Sequence, residues 1–243
     1  MASGASTGCE GEAMKGSKAI FAVAAFVIAA TAAASLFPHR LYGKRISGQV
    51  VDAATGQPIA GAHVAYLWES GIIPSGFTGH NSRDICYHAA ATVTDAQGRF
   101  EIAPWKEWST YDVEVHDPEA LVYAPRYMPR QIVLREGKLK PPQERPNERY
   151  ELHAFSGTVD ERLKSMWWGV ANRGCSYGGA SQRSLFPMLK AMYDEARHIA
   201  TTEQQTKQVN GYAVMAARAA VATDPNGPAN VAEVEQFIKE HLK

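Results

Sequence analysis

The chain has 243 residues, and Lys plus Arg equals Asp plus Glu at 25 each, so no net charge draws it toward nucleic acid. Hydrophobic residues make up 45% of the chain and charged residues 21%, an ordinary globular composition with enough apolar material for a core. That length suits one large domain or two small ones.

After a tail over residues 1–18, residues 19–37 (AIFAVAAFVIAATAAASLF) carry no charge, with Lys15 and Lys18 before them and His39 and Arg40 after. A helix rising about 1.5 Å per residue over this run just crosses a hydrocarbon core of about 30 Å. Two readings stand: an uncleaved transmembrane anchor, or a signal peptide with a second start at Met14 and a cleavage site at Ala32-Ala33-Ala34. The preceding lysines keep the N-terminus inside, so everything after Phe37 is expected in the periplasm or outside. The protein is then membrane-anchored, with the membrane as partner through residues 19–37, or secreted after cleavage.

Cys9 precedes the apolar run, and no lipobox follows it. Cys86 and Cys175 are the two cysteines of the exported part and form a disulfide candidate. Closing so long a loop is worth about 4 kcal/mol in the chain-entropy account.

Residues 38–45 read as a short basic linker. Beyond them come short alternating segments bounded by turn residues: 46–52, 62–68 with Val64, Tyr66 and Trp68 on one face, 89–94, and a return strand marked by Phe100 and Ile102. Tyr111, Val113 and Val115 alternate, as do Ile132 with Leu134 and Tyr150 with Leu152. Residues 71–85 are irregular and rich in Gly, Ser and Asn. Seven strands without intervening helices predict an antiparallel β-sandwich over residues 46–155. From Thr158 the period turns helical. Ser184 is placed to cap a helix carrying Leu185, Met188, Leu189, Met192, Ala196 and Ile199 on one face. Val209, Tyr212, Ala213 and Ala216 mark a second helix. Asn230 with Glu233 suggests a capping box for a third, lined by Val231, Val234, Phe237, Ile238 and Leu242. The expected class is therefore α+β: a mainly β body, one N-terminal hydrophobic helix, and a helical region over residues 158–243.

The stretch from Gly48-Gln49-Val50-Val51-Asp52 through Thr55-Gly56-Gln57-Pro58-Ile59-Ala60-Gly61-Ala62-His63-Val64 resembles the opening of carboxypeptidase regulatory-like domains. Thr94-Asp95-Ala96-Gln97-Gly98-Arg99-Phe100-Glu101-Ile102 is similar to that family's second hallmark. The resemblance covers about residues 46–134 and implies a transthyretin-like (prealbumin-like) sandwich that serves as an accessory module and carries no chemistry. Residues 71–85 and the helical third depart from the usual module.

Candidate chemistry is thin. Gly174-Cys175-Ser176-Tyr177-Gly178 matches G-x-S-x-G, with Asp194 and His198 following, but the elbow needs an α/β sheet that this pattern lacks. A Gly-rich turn presenting Cys175 is the simpler reading, and hydrolysis through Ser176 is a remote alternative. His80, Asp84, Cys86 and His88 lack a second compact ligand pair for tetrahedral zinc. Neither metal nor cofactor is expected. Trp105, Trp108 and Tyr111 could form an aromatic ligand platform for a carbohydrate. The expected function is a non-catalytic, exported or membrane-anchored interaction module whose partner is an envelope protein or glycan.

Overall fold

The computed structural model describes residues 39–72, 84–109, 113–115, 118–133, 144–167, 180–222 and 230–242. The expected N-terminal helix lies outside them; among the described residues no helix is long and apolar enough to cross a membrane. The chain divides into two units, and the larger, Leu41–Glu107 with Val113–Lys243, holds the architecture that follows except for residues 39–40 and 108–109.

The class is α+β. Ten strands occur among the described residues: β1 (His39–Gly43), β2 (Ile46–Asp52), β3 (His63–Ile72), β4 (Asp84–Val93), β5 (Arg99–Ile102), β6 (Trp105–Ser109), β7 (Val113–Val115), β8 (Glu119–Tyr123), β9 (Arg130–Val133) and β10 (Arg145–Leu152). They are followed by a 310 segment, Ala180–Leu185, and by helices α1 (Val159–Met166), α2 (Phe186–Ile199), α3 (Glu203–Val221) and α4 (Val231–His241), of which α1 precedes the 310 segment.

Two corrections to the sequence reading follow. Strands β1, β6 and β8 exceed the seven expected; β1 falls in the stretch read as a linker and pairs with β6. The sheets are also not wholly antiparallel. β10 lies parallel to β2, with Tyr150 opposite Val50 and Leu152 opposite Asp52. A parallel neighbour requires a long crossover, which alternation within single segments cannot reveal.

One sheet has the order β10-β2-β5, and the other β4-β3-β8-β9 with β7 added to β3. Between them lie Ile46, Val50, Val64, Tyr66, Trp68, Phe100, Ala120, Val122, Tyr150 and Leu152, all buried. Tyr66 and Tyr150 share a hydroxyl–hydroxyl hydrogen bond there, and Phe100 stacks on Tyr150 at 5.5 Å. The connections have physical causes. Gly56, Gly61 and Gly98 all take positive φ, a region costly for side-chain-bearing residues. Thr94 ties the turns together: its Oγ1 accepts from Ala62 N at 2.9 Å and donates to the Ile59 carbonyl at 2.7 Å.

The second face of the larger sheet is apolar too. Ala65 and Leu67 of β3 and Leu121 and Tyr123 of β8 pack against Leu163, Met166, Met188, Met192, Tyr212 and Ala213 of the helices. Strands side chains alternate between faces, so β3 and β8 form the middle of three layers: sheet, sheet, helices. Thr158 caps α1 in a box with Glu161, and Thr202 caps α3 with Gln205. α2 starts at Phe186 with Leu185 at the cap position, one residue later than the Ser184 cap predicted; Ser184 instead donates to the Ala89 carbonyl on β4 at 2.8 Å. Asn230 does cap α4, accepting from Ala232 N.

A buried ion pair fastens helices to sheet. Arg162, only 3% exposed, donates through Nε to Glu195 Oε1 at 2.9 Å and through a terminal nitrogen to Oε2 at 2.7 Å. Its guanidinium also donates to the Tyr127 carbonyl, and Tyr123 OH donates to Glu195 Oε2 at 2.6 Å.

Candidate functional site

Two concave surfaces stand out. The first is a groove of about 620 Å³ between α1 and α3. Its floor is Leu163, Trp167, Gly211 and Tyr212; its rim is Asp160, Glu161, Lys164, Gln204, Lys207 and Gln208. Trp167 meets Tyr212 edge-on, 5.5 Å between centroids at 85°. Tyr212 OH donates to the Leu163 carbonyl, and burial pushes its phenol well above the usual range. Gly211 eases the arrangement: a Cβ there would lie 3.0 Å from the Trp167 ring, which would have to give by a few tenths of an ångström. Glycine inside a helix costs about 1 kcal/mol relative to alanine, and here it lets the indole lie against the α3 backbone. Asp160 accepts from Gln205 Nε2 at 2.8 Å, and Glu161 closes the α1 cap, where the Thr158 amide and then its hydroxyl hold the Glu161 carboxyl below the usual range.

The second is a polar cleft of about 750 Å³, lined by Ser47, Gly48 and Gln49 of β2, Thr92 and Val93 of β4, Arg99 to Glu101 of β5, Asp95, and Asn147 to Arg149 of β10. The β10 register slips between Arg145 and Glu148, and Asn147 has φ 64° within that irregularity. Such a bulge bends the strand and re-aims its side chains. Gly48 sits beneath it, where a Cβ would fall 2.1 Å from the Glu148 carbonyl oxygen. The adjoining outer face of this sheet is charged: Arg99, Glu101, Arg149 and Glu151 are exposed, with Arg149 Nε 3.2 Å from Glu151.

The residues singled out in the sequence are scattered among different environments. Trp105 is half-buried; its ring stacks on His88 at 4.0 Å and meets Trp68 edge-on at 5.2 Å. Trp108 is 71% exposed, and Tyr111 lies outside the described residues. Cys86 is partly buried, and the bulge opposite Trp68 and Glu69 sets it against the helical core. Cys175, Ser176 and His80 lie outside the described residues, as do Trp168 and His116. His88 is held by Glu107, Nδ1 to Oε1 at 2.7 Å. Among the described residues no cluster of three or more His, Cys, Asp or Glu could hold a metal ion. His63 faces Tyr123 at 6.0 Å, and burial lowers its pKa; His153 is exposed.

Sequence reasoning missed both concavities. The mid-helix Gly211 was the only signal for the groove, and the Pro146-Asn147 break for the cleft.

No family model and no curated protein matches this chain. Among solved structures it is similar to 3-chlorocatechol 1,2-dioxygenase from Rhodococcus opacus 1CP, with 14% identity, TM-score 0.27, and coverage of 46% of this chain and 61% of that one. A streptococcal ancillary pilin gives 11% identity and TM-score 0.24, covering 47% and 30%. A 9R-lipoxygenase from Cyanothece PCC8801 gives 15% identity and TM-score 0.28, covering 68% and 26%. The chain thus spans less than two thirds of each of these proteins, and likeness of this degree carries no argument about function.

Proposed function

We propose that this protein is an exported, membrane-tethered interaction module of the transthyretin-like kind, without catalytic activity, that presents the β10-β2-β5 sheet to an envelope partner. One observation carries the reading: among the described residues the helices occupy the outer face of the larger sheet, whereas the charged outer face of the smaller sheet and its adjoining cleft are exposed. Support comes from the positive φ at Gly56, Gly61 and Gly98 and from the buried Phe100, which lie in the stretches that resemble that module.

The partner fits a polar surface of mixed sign, because Arg99 and Arg149 alternate there with Glu101 and Glu151. Such patterning fixes orientation and rejects wrong partners more than it adds affinity. A photo-crosslinking side chain at Gln49, in the full chain expressed in its own membrane, tests this. An adduct formed from Gln49 but not from exposed Glu203 on α3 supports the reading; no adduct, or the same adduct from both, overturns it.

The tether is residues 19–37, and N-terminal sequencing of the mature chain separates its two forms: a start near Ser35 means a cleaved signal, an intact run an anchor. A disulfide between Cys86 and Cys175 belongs to the same proposal. Support comes from the 310 segment beginning at Ala180, soon after Cys175 in sequence, which docks on β4 through Ser184. Glycan binding is a second reading that rests on the exposed Trp108. Retention on an envelope-glycan column that is lost in Trp108→Ala would favour it.

A further inference from the structure

We propose that Trp108 is an interfacial anchor: its indole lies at the headgroup level of the bilayer that residues 19–37 enter, and it fixes the point where the chain leaves the lipid. The inference rests on the tether proposed above and adds to it the side chain that meets the membrane surface.

Strand periodicity comes first. Side chains along a strand point alternately to its two faces. On β6, Trp105 stacks on His88 and Glu107 bonds the same His88 at 2.7 Å, so residues 105 and 107 both face β4. Trp108 therefore takes the opposite face of β6. At 71% it is the most exposed large apolar side chain among the described residues.

Placement in the chain ties that indole to lipid. Trp108–Asp112 falls with Met1–Arg40 in the smaller of the two compact units, the unit that also contains the apolar run. β6 pairs with β1, and β1 begins at His39, two residues after the run ends at Phe37. The seating is close, since a Cβ on Gly43 of β1 would strike the Trp105 indole. Two extended residues reach no further than about 7 Å. The polar zone between hydrocarbon and water is about 5–8 Å deep on each side. A chain leaving the hydrocarbon at Phe37 thus starts β1 within that zone or at its edge, and β6 lies one strand spacing away, about 4.8 Å.

The chemistry of the side chain suits that level. An indole has an apolar body and a single N–H donor, which is why tryptophan is enriched where hydrocarbon gives way to water. The reading asks for no net charge of either sign, and Lys106 and Glu107 are neighbours on β6. Lipid is favoured over a glycan because Trp105 is turned to the other face of β6 and engaged by His88 and Trp68, so the two indoles do not form one platform.

The test is photo-crosslinking of the full, uncleaved chain in phosphatidylcholine nanodiscs, with a diazirine side chain placed at Trp108 or, as a control, at exposed Glu203 on α3. Intact mass should show a phospholipid adduct from position 108 at about fivefold or greater yield than from position 203. The native side chain is read separately: the emission of wild type minus that of Trp108→Phe should peak to the blue of free tryptophan. Equal lipid yields from the two positions, or an emission peak at the place of free tryptophan, overturns the proposal. So does an adduct from position 108 with added envelope glycan in place of lipid. A chain that does not co-elute with the discs overturns the tether and this inference together. Co-elution without a lipid adduct at position 108 overturns this inference alone.

Discussion

Arg162 and Glu195 face each other side-on, two nitrogens against two oxygens at 2.9 and 2.7 Å, in a layer that water scarcely reaches. One comes from α1 and the other from α2, while Tyr123 reaches Glu195 from β8. The pair therefore joins three elements that are far apart in sequence. Removing one partner leaves the other charge buried, at a cost of about 3–5 kcal/mol. Arg162→Ala and Glu195→Ala are each expected to lose that much in urea unfolding, and the double variant much less than their sum. Additive losses would sink the claim that the two act as a unit.

The same carboxylate sets an acid limit. Burial pushes the Glu195 pKa up, but the Arg162 and Tyr123 hydrogen bonds, the Arg162 charge and the Arg126 amide together hold it below its ordinary value of 4.5. Its contribution to stability is complete above that value and is lost as pH falls through the lower folded value. Unfolding free energy should decline below about pH 4.5, and Glu195→Gln should flatten that limb even though it starts from a less stable protein.

Tyr66 and Tyr150 test the sandwich core. Tyr150→Phe strands the Tyr66 hydroxyl between the sheets and should cost about 1–3 kcal/mol, whereas the double Phe variant should be close to neutral. Burial, above all, raises both phenols, that of Tyr150 to about 12. Below the ordinary value of 10.0 their contribution is intact, and it fades as pH rises toward the folded values. Phenolate absorbance of the folded chain should therefore miss both tyrosines at pH 11 and gain them on unfolding.

Two glycines with the same backbone sign should behave differently. Gly98 has φ 69°, and a Cβ would lie 2.6 Å from the Val50 carbonyl oxygen; Gly61 has φ 74° with open space around it. Gly61→Ala should cost about 1 kcal/mol from the backbone alone, and Gly98→Ala distinctly more. Thermal melts of the two variants decide it, and equal shifts would sink the steric account.

Much of this was legible in the residues. The turn residues around Gly56, Gly61 and Gly98 marked the strand boundaries, though the positive φ that all three take was readable only at Gly98, and the stripe from Leu185 to Ala196 announced α2. β8 was not, because Ala120-Leu121-Val122-Tyr123 is apolar at every position and a period of two cannot show in it. That run is itself the mark of a strand covered on both faces, as is Val64 to Trp68 on β3. Read together they foretell a third layer, which one-face alternation hides. The Arg162–Glu195 pair was hidden as well, since residues that meet only through tertiary packing have no spacing to betray them. The groove depends on how α1 and α3 dock, and the helical period fixes each helix face without fixing its neighbour.

The parallel seating of β10 beside β2 has a mechanical result. A load applied ahead of Ile46 reaches the start of β2, while one applied beyond Leu152 reaches the finish of β10, at the opposite end of the shared ladder. A load of that kind shears the two strands past each other, so that the rungs from Glu148 to Leu152 share it instead of opening one by one like a zipper.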